Sequence, residues 1–156
     1  MPDTSIRALA IAMVSGGSTL LREATRLFKP FGVTAAQFNA LHLLAASSEG
    51  LRPSDLTRSL VVDPSSITYL LDELQKRDWV CRTSDPADRR AYRVRLTPKG
   101  TLLHGKVNAR YQASLAEIAR RIDATDAKRA VNLLLQIQQA AVAAVDSIVQ
   151  PGQMAR

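Results

Sequence analysis

The fold is decided by residues 79–100, which read WVCRTSDPADRRAYRVRLTPKG. Within this stretch, residues 91–96 alternate polar and apolar side chains, which is the pattern of a half-buried β-strand. Residues 79–83 form a second short β-prone run, and residues 84–90 between the two runs are rich in turn formers. The stretch therefore predicts a β-hairpin with arginines at its tip. The strand positions expected to face a core are Tyr92, Val94 and Leu96, with Arg93 and Arg95 on the other face.

The positive charge of the chain is concentrated around this hairpin. The 156 residues carry 21 Lys and Arg against 14 Asp and Glu, a formal net charge of +7. Residues 76–99 alone hold eight cationic and three anionic side chains. A solvated surface is the ordinary explanation of such a run, and a polyanionic partner is the functional one. Because the chain has only 3 Phe, 3 Tyr and 1 Trp, it lacks the aromatic platforms that bind single strands or RNA, and duplex DNA is favoured.

Length, cysteine content and motifs exclude several classes of protein. At 156 residues and 46% hydrophobic residues, the chain fits one globular domain with at most a modest appendage. The single cysteine, Cys81, cannot form an internal disulfide, which favours the reducing cytoplasm. The longest early apolar run, Ala8–Val14, is far shorter than the ~20 residues of a membrane span, so no span and no membrane partner are expected. No catalytic motif occurs, so we expect no enzyme activity and no cofactor, and two histidines cannot complete a zinc site.

Two helices are predicted directly before the hairpin. Asp63-Pro64 is a good helix start, with Asp as N-cap and Pro at the first helical position. A shorter helix over about residues 53–60 precedes it, and residues 61–63 connect the two. Taken alone, the polar face of the second helix equally fits an ordinary amphipathic surface helix. Followed by a basic hairpin, the pair has the layout of a winged helix-turn-helix. The apolar stripe of the second helix is formed by Ile67, Leu70, Leu71 and Leu74.

The remaining sequence predicts further helices on both sides of this winged unit. They cover about residues 4–28, with a bend at Gly16-Gly17, then 34–46, 97–122 and 125–149. The fold class is therefore mainly α (α+β): a winged helix-turn-helix with a two-stranded β-wing and additional terminal helices. Since the terminal helices have apolar stripes without an obvious partner in the chain, a second copy is expected to cover them. The predicted organisation is a helical dimerisation region (1–33 and 100–150), a DNA-binding region (34–99) and a C-terminal tail (151–156).

The sequence resembles the MarR family of transcriptional regulators. The resemblance covers nearly the whole chain, and the hairpin is its most specific part. The matching motifs are Leu56-x-x-x-Leu60, Val62-Asp63-Pro64-Ser65-Ser66-Ile67-Thr68, Leu70-Leu71-Asp72-x-Leu74, Trp79-Val80-x-Arg82, and Asp85-Pro86-x-Asp88-Arg89-Arg90-x-x-x-Val94-x-Leu96-Thr97-x-x-Gly100.

The resemblance implies a homodimer that binds an inverted repeat in double-stranded DNA and represses transcription until a ligand or oxidant releases it. In the wing, Asp88 would orient Arg90 for the minor groove, and Arg82 would pair with Asp88 or touch a phosphate. The residues expected at the DNA are Arg52, Ser54, Ser65, Ser66, Thr68, Tyr69, Lys76, Arg82, Asp88, Arg89 and Arg90.

The resemblance also implies a pocket for a small aromatic or anionic effector. Its candidate residues are Arg22, Arg26, Phe38, His42 and Tyr111, although core packing or helix-surface charge is the simpler explanation for each of them. Cys81 is interpreted as a small filler residue of the wing rather than a redox switch. The alternative function is a dimeric architectural or protein-interaction module with weak DNA sequence specificity.

Overall fold

The computed structural model describes residues 4–60 and 64–149, without the side chains of Pro64 and Arg89. The predicted connection over residues 61–63, the Asp63 cap and the C-terminal tail lie outside the described residues. The described residues form six α-helices, one short 3-10 turn and a two-stranded sheet, which confirms the predicted fold class. The elements are α1 (Thr4–Phe28), the 3-10 turn (Lys29–Phe31), α2 (Ala35–Ala45), α3 (Pro53–Leu60), α4 (Pro64–Lys76), β1 (Val80–Asp85), β2 (Asp88–Leu96), α5 (Pro98–Ala119) and α6 (Ala124–Val149).

Local side-chain hydrogen bonds fix where the helices begin. Thr34 and Gln37 form a capping box at α2, in which each side chain bonds the other residue's backbone N–H at 3.0–3.1 Å. α6 begins at Ala124, one residue before the predicted start, because the Asp123 carboxylate accepts hydrogen bonds from the backbone N–H groups of Thr125 and Asp126. These bonds lower the pKa of Asp123. α1 runs without interruption through Gly16-Gly17.

A single apolar core lies among α2, α3, α4, the hairpin and the start of α5. The predicted inward side chains of α4 are buried, Ile67, Leu71 and Leu74 at 0–1% exposure, while Leu70 is half-buried. Val94 supplies the hairpin's most buried side chain, as the strand alternation predicts. The buried apolar residues are Phe28, Val33, Phe38, Ala40, Leu41, Leu44, Leu56, Ile67, Leu71, Leu74, Trp79, Val80, Val94 and Val107.

The hairpin is longer and its turn tighter than predicted. β1 and β2 pair from Val80↔Leu96 to Asp85↔Asp88, so only two residues remain for the turn where residues 84–90 were expected as a loop. The strands extend this far because Asp85 accepts a hydrogen bond from the backbone N–H of Ala87 at 2.8 Å and thereby closes the turn. Arg89 and Arg90 are consequently strand residues near the tip.

The hairpin is docked to the segment that precedes α3. Leu51 and Val94 exchange two backbone hydrogen bonds, of 3.1 and 2.8 Å, and form a third short strand contact. Gly50 has φ +74°, and a Cβ there would lie 2.6 Å from the carbonyl oxygen of Val94. Only glycine tolerates both the backbone conformation and the close approach.

The described residues group into two compact units, one ending at Gln112 and the other beginning at Ala113. The first contains the whole winged core, and the second consists of the end of α5 and α6. None of the residues of α6 is buried. The predicted division into residues 1–33 with 100–150 and residues 34–99 remains a prediction, since it depends on a second copy of the chain.

Two long helical segments correct the expectation drawn from apolar runs. Thr4–Phe31 and Ala124–Val149 are long and apolar enough to cross a membrane by length and composition, with mean hydropathies of 1.3 and 1.2 over 18 residues. Isolated polar residues interrupt every continuous apolar run, which is why a search for runs finds no such segment. Length and composition alone are weak evidence for a span. Most apolar side chains of both segments are exposed in the single chain, whereas Phe28 near the end of the first is buried in the core.

Candidate nucleic-acid interface

One face of α4 is polar, exposed and free of anions in its first turn. Its predicted contact residues Ser65, Ser66, Thr68 and Tyr69 are all exposed, and Tyr69 retains 70% of its surface. The opposite face holds the helix in place through its buried apolar stripe. Since the N-terminal end of a helix also carries partial positive charge, this end of α4 can approach a phosphate backbone or base edges closely.

The tip of the wing presents a cation fixed through its backbone. The Asp88 carboxylate accepts a hydrogen bond from the backbone N–H of Arg90 at 2.9 Å. Asp88 therefore sets the backbone direction at Arg90, whereas the resemblance implied that it orients the arginine. Within the described part of the chain, the exposed guanidinium of Arg90 has no hydrogen bond or ion pair. It is thus available to an external anion.

Arg82 does not pair with Asp88, which corrects the expected ion pair. Its guanidinium instead binds the carboxylate of Asp72 on α4 and lies over the ring of Tyr92, 5.0 Å from the ring centroid. The reason is the hairpin register, which places Arg82 near the base of the wing and Asp88 at its tip. Arg82 therefore ties the wing to α4, and its predicted contact with a phosphate stays a prediction.

Arg52 is held by Asp85, a residue for which no contact was predicted. Its Nε donates to Oδ2 of Asp85 at 2.6 Å, and Nε of Arg93 donates to the same oxygen at 3.1 Å. The side chain of Asp85 is fully buried. The hydrogen bond from Arg52 and that from the backbone of Ala87 hold the pKa of Asp85 well below its usual range. The only sequence signal for this contact was an aspartate at the start of the turn.

The other cations near the wing are mostly engaged within the chain. Arg95 pairs with Glu49 at 3.0 Å, and Lys76 pairs with Glu73 at 2.9 Å, which raises the pKa of Lys76. Arg77 donates to the carbonyl oxygen of Gly32 and lies over the Trp79 ring. Ser54 is exposed at the start of α3. The charge excess that the sequence placed on the hairpin is therefore largely neutralised at its base and remains available at its tip.

Three of the five predicted effector residues come together. Phe38, His42 and Tyr111 belong to one ring cluster, with centroid distances of 5.5 Å from Phe38 to His42 and 5.2 Å from Phe38 to Tyr111. His104, which the sequence did not indicate here, completes the cluster: its Nε2 lies 3.1 Å from Nδ1 of His42. Burial, and secondarily the neighbouring His42, lower the pKa of His104.

Arg22 and Arg26 make polar contacts within α1 alone. Both lie against Glu23, at 3.5 and 2.7 Å, and Arg22 also donates to Thr19. A separate open cleft of about 620 Å³ contains none of the five candidates. It is lined by Leu21, Thr34, Ala36, Gln37, Asn39, Leu60, Ser66, Tyr69, Leu70 and Glu73. Among the described residues, no three His, Cys, Asp or Glu side chains are grouped so as to hold a metal ion.

Comparison with known proteins shows which family this arrangement resembles. A sequence model described as the MarR family matches residues 31–91, which contain α2, the helix-turn-helix and most of the wing. Over these residues the chain resembles the MarR family. The transcriptional repressor MprA of Escherichia coli K12 is 33% identical over 84 residues, which make up 53% of this chain. That stretch spans only about half, 48%, of MprA.

Solved MarR-family structures match over more of the chain. A mutant MarR from Escherichia coli complexed with operator DNA is 25% identical with a TM-score of 0.76, covering 85% of this chain and 95% of MarR. CouR from Rhodococcus jostii RHA1, bound to p-coumaroyl-CoA, is 26% identical with a TM-score of 0.71, covering 92% and 93%. The family resemblance read from the wing is therefore confirmed by both sequence and structure.

Proposed function

We propose that the protein is a cytoplasmic transcriptional regulator that binds an inverted repeat in duplex DNA as a homodimer and represses transcription. The observation that carries this proposal is the exposed polar face of α4, which has no acidic residue in its first turn, beside a wing whose Arg90 has no partner in the described chain. The Arg82–Asp72 pair joins the two elements directly. One helix and one basic hairpin held in a fixed relation suit the major groove and the adjacent minor groove of the same duplex.

The exposed apolar helices support the homodimer. On α1, Ile11, Val14 and Leu20 are 62–72% exposed, and on α6, Val142 and Ile148 are 64–75% exposed. Burying such surface against a second copy is favourable by about 25 cal/mol per Å² of apolar area. A two-fold dimer places its two recognition helices about 34 Å apart, one turn of DNA.

The test compares two arginines of the wing. Arg90→Ala and Arg95→Ala remove the same charge, one from the tip and the other from an internal pair with Glu49. We expect Arg90→Ala to weaken binding to a selected inverted repeat by about 1–3 kcal/mol, as for the loss of one groove contact. Arg95→Ala should weaken it less. Fluorescence anisotropy with a labelled duplex at fixed salt measures both.

Random competitor duplex distinguishes the regulator from the architectural module. A regulator keeps its labelled operator in the presence of competitor. If the selected and random duplexes compete equally, sequence-specific binding is contradicted and the architectural alternative is favoured. If both arginine variants bind like the unsubstituted protein, the wing does not contribute to the interface.

A second part of the proposal is release by a small aromatic or anionic effector. The observation that favours it is the cleft of about 620 Å³, because Ser66 and Tyr69 of the α4 contact face form part of its wall. A ligand there competes directly with DNA for the same side chains. A thermal-shift screen of aromatic carboxylates, followed by anisotropy of the DNA complex, tests it. Ala36→Trp, which fills the cleft from α2, should abolish the ligand-induced shift.

A further inference from the structure

An ion pair with a buried carboxylate lies where the hairpin meets the start of α3. We call Asp85, Arg52 and Arg93 the Asp85 cluster. One carboxylate oxygen, Oδ2 of Asp85, accepts hydrogen bonds from the Nε atoms of both arginines, at 2.6 and 3.1 Å. Its other oxygen accepts from the backbone N–H of Ala87. The Asp85 side chain has no exposed surface, whereas those of Arg52 and Arg93 are 38% and 28% exposed.

The two arginines come from different parts of the winged unit. Arg52 directly precedes α3, the first helix of the helix-turn-helix, and Arg93 lies in the middle of β2. The Asp85 cluster therefore joins the wing to the helix-turn-helix with charge-assisted hydrogen bonds, beside the backbone bonds between Leu51 and Val94. The wing is consequently a docked element with a fixed direction.

The two guanidinium groups differ in how many of their nitrogens remain free to bind an external anion. Arg93 uses Nη1 as well, donating to the carbonyl oxygen of Gly50 at 3.3 Å. Arg52 binds Asp85 through Nε, and within the described residues its two terminal nitrogens make no hydrogen bond. The backbone N–H of Arg52 donates to Asp55, so the residue is held at both its backbone and its side chain. The terminal nitrogens of Arg52 are therefore held in a fixed position, and their N–H groups are free to donate hydrogen bonds.

We propose that Asp85 is a positioning residue for DNA binding: its buried carboxylate fixes the wing against α3 and holds the Arg52 guanidinium ready for a DNA phosphate. The inference deepens the proposed function and rests on it. Because Asp85 has no exposed surface, it acts only through other residues. Arg52 acts as a preorganised hydrogen-bond donor to a DNA phosphate. This avoids the loss of side-chain entropy that a free surface arginine suffers on binding.

The sign of the effect of Asp85→Asn separates this proposal from simple electrostatics. The substitution removes a negative charge, and general attraction between the protein and DNA therefore predicts tighter binding. Positioning predicts weaker binding, by about tenfold, because Arg52 loses its fixed direction. Glu49→Gln is the matched control, since it removes one negative charge from the exposed Arg95 pair at the same wing base. We expect Glu49→Gln to bind as tightly as the unsubstituted protein or slightly more tightly.

A second variant leaves Asp85 intact in case Asp85→Asn fails to fold. Lys has a single side-chain nitrogen, so in Arg52→Lys the ammonium cannot bind Asp85 through one nitrogen and present two other nitrogens to a phosphate. Arg52→Lys keeps the charge and should still lose about tenfold in affinity. In a double-mutant cycle, Asp85→Asn added to Arg52→Gln should cost less than about threefold, because the residue through which it acts is already gone.

Anisotropy titrations at one salt concentration, with circular dichroism melts of each variant, give these quantities. Weaker binding by folded Asp85→Asn and Arg52→Lys, with an unaffected Glu49→Gln, supports the proposal. Equal affinities of Asp85→Asn and Glu49→Gln, or unsubstituted affinity in Arg52→Lys, overturn it. If the unsubstituted protein itself shows no preference for a selected duplex, the proposed function fails first, and this outcome is distinguishable from the others.

Discussion

The winged core and α6 use the same apolar residue types in opposite ways. Leu71 and Val94 in the core have no exposed surface, whereas Leu135 and Val142 on α6 are 52% and 64% exposed. Both regions show a helical or strand periodicity of apolar side chains, so periodicity does not separate them. The difference shows that an apolar stripe indicates a surface that is buried by some partner. Whether that partner is another part of the same chain depends on how the rest of the chain folds.

The same contrast occurs within α4. Ile67 is 1% exposed and contributes to the core, while its neighbour Ser66 is exposed on the proposed DNA face. A single helix thus has one face buried in the core of its own chain and one face exposed to a partner. Substitutions in the buried faces should change the free energy of unfolding, and those in the exposed faces should change the affinity for a partner.

The largest expected effect comes from a cavity in the core. Leu71→Ala should lower the free energy of unfolding by about 2–5 kcal/mol, the range for buried Leu-to-Ala changes. Denaturant unfolding followed by circular dichroism at several protein concentrations measures it, and the loss should not depend on concentration. Leu134→Ala on α6 is the matched control: its loss should be smaller at high dilution and grow with concentration, as expected for a contact between two copies. If the loss of stability is independent of protein concentration in both variants, α6 is not stabilised by a second copy and the contrast between core and α6 is contradicted.

The second effect concerns association through α6. Val145→Glu places a carboxylate on a face that is 57% exposed in the single chain, and it should weaken dimerisation by roughly 1–3 kcal/mol because an unpaired charge is buried in the dimer. Analytical ultracentrifugation across micromolar concentrations measures the change. Gln136→Glu adds the same charge on the opposite side of α6, about two and a half turns away, and should leave the dimer intact. A monomeric unsubstituted protein would contradict the homodimer.

The third prediction concerns the exposed polar face of α4. Ser66→Glu puts an anion against the DNA and should reduce affinity by at least about tenfold, while the free energy of unfolding stays within about 0.5 kcal/mol because the site is exposed. Ser66→Gln is the control of the same size without charge, and it should bind more tightly than Ser66→Glu. A fall in stability that matches the loss of binding would place Ser66 among the structural residues.

The smallest effect is a pH dependence from the ring cluster. The pKa of His104 is below its usual 6.5 in the folded state, so the unfolded state binds the proton more readily. This contribution to stability is complete above pH 6.5 and is lost as pH falls below it. Thermal melts between pH 7.5 and 5.5 should show a shallow decrease, because His104 is partly exposed. His104→Gln should flatten the decrease, and an identical pH profile in that variant would assign the effect elsewhere.

Local patterns were sufficient for the element order and for the family. Alternation placed Val94 in the core, a capping threonine began α2, and the wing motif indicated the resemblance to the MarR family. The errors lie where a contact joins distant residues. The Arg82–Asp72 pair and the Asp85 cluster depend on how the hairpin lies against α3 and α4, and a charge count cannot reveal which cations are neutralised internally.

The sequence by itself determined that a basic hairpin follows a helix-turn-helix, because turn residues, strand alternation and helical stripes are local signals. Only the tertiary structure decided which arginines keep free guanidinium nitrogens. Arg82, Arg93 and Arg95 each bind a carboxylate brought close by folding. Arg52 also binds one, but only through Nε, and the guanidinium of Arg90 at the tip has no partner among the described residues. The physical reason is that an ion pair requires its atoms within about 4 Å, and residues tens of positions apart in sequence reach that distance only through the packed core.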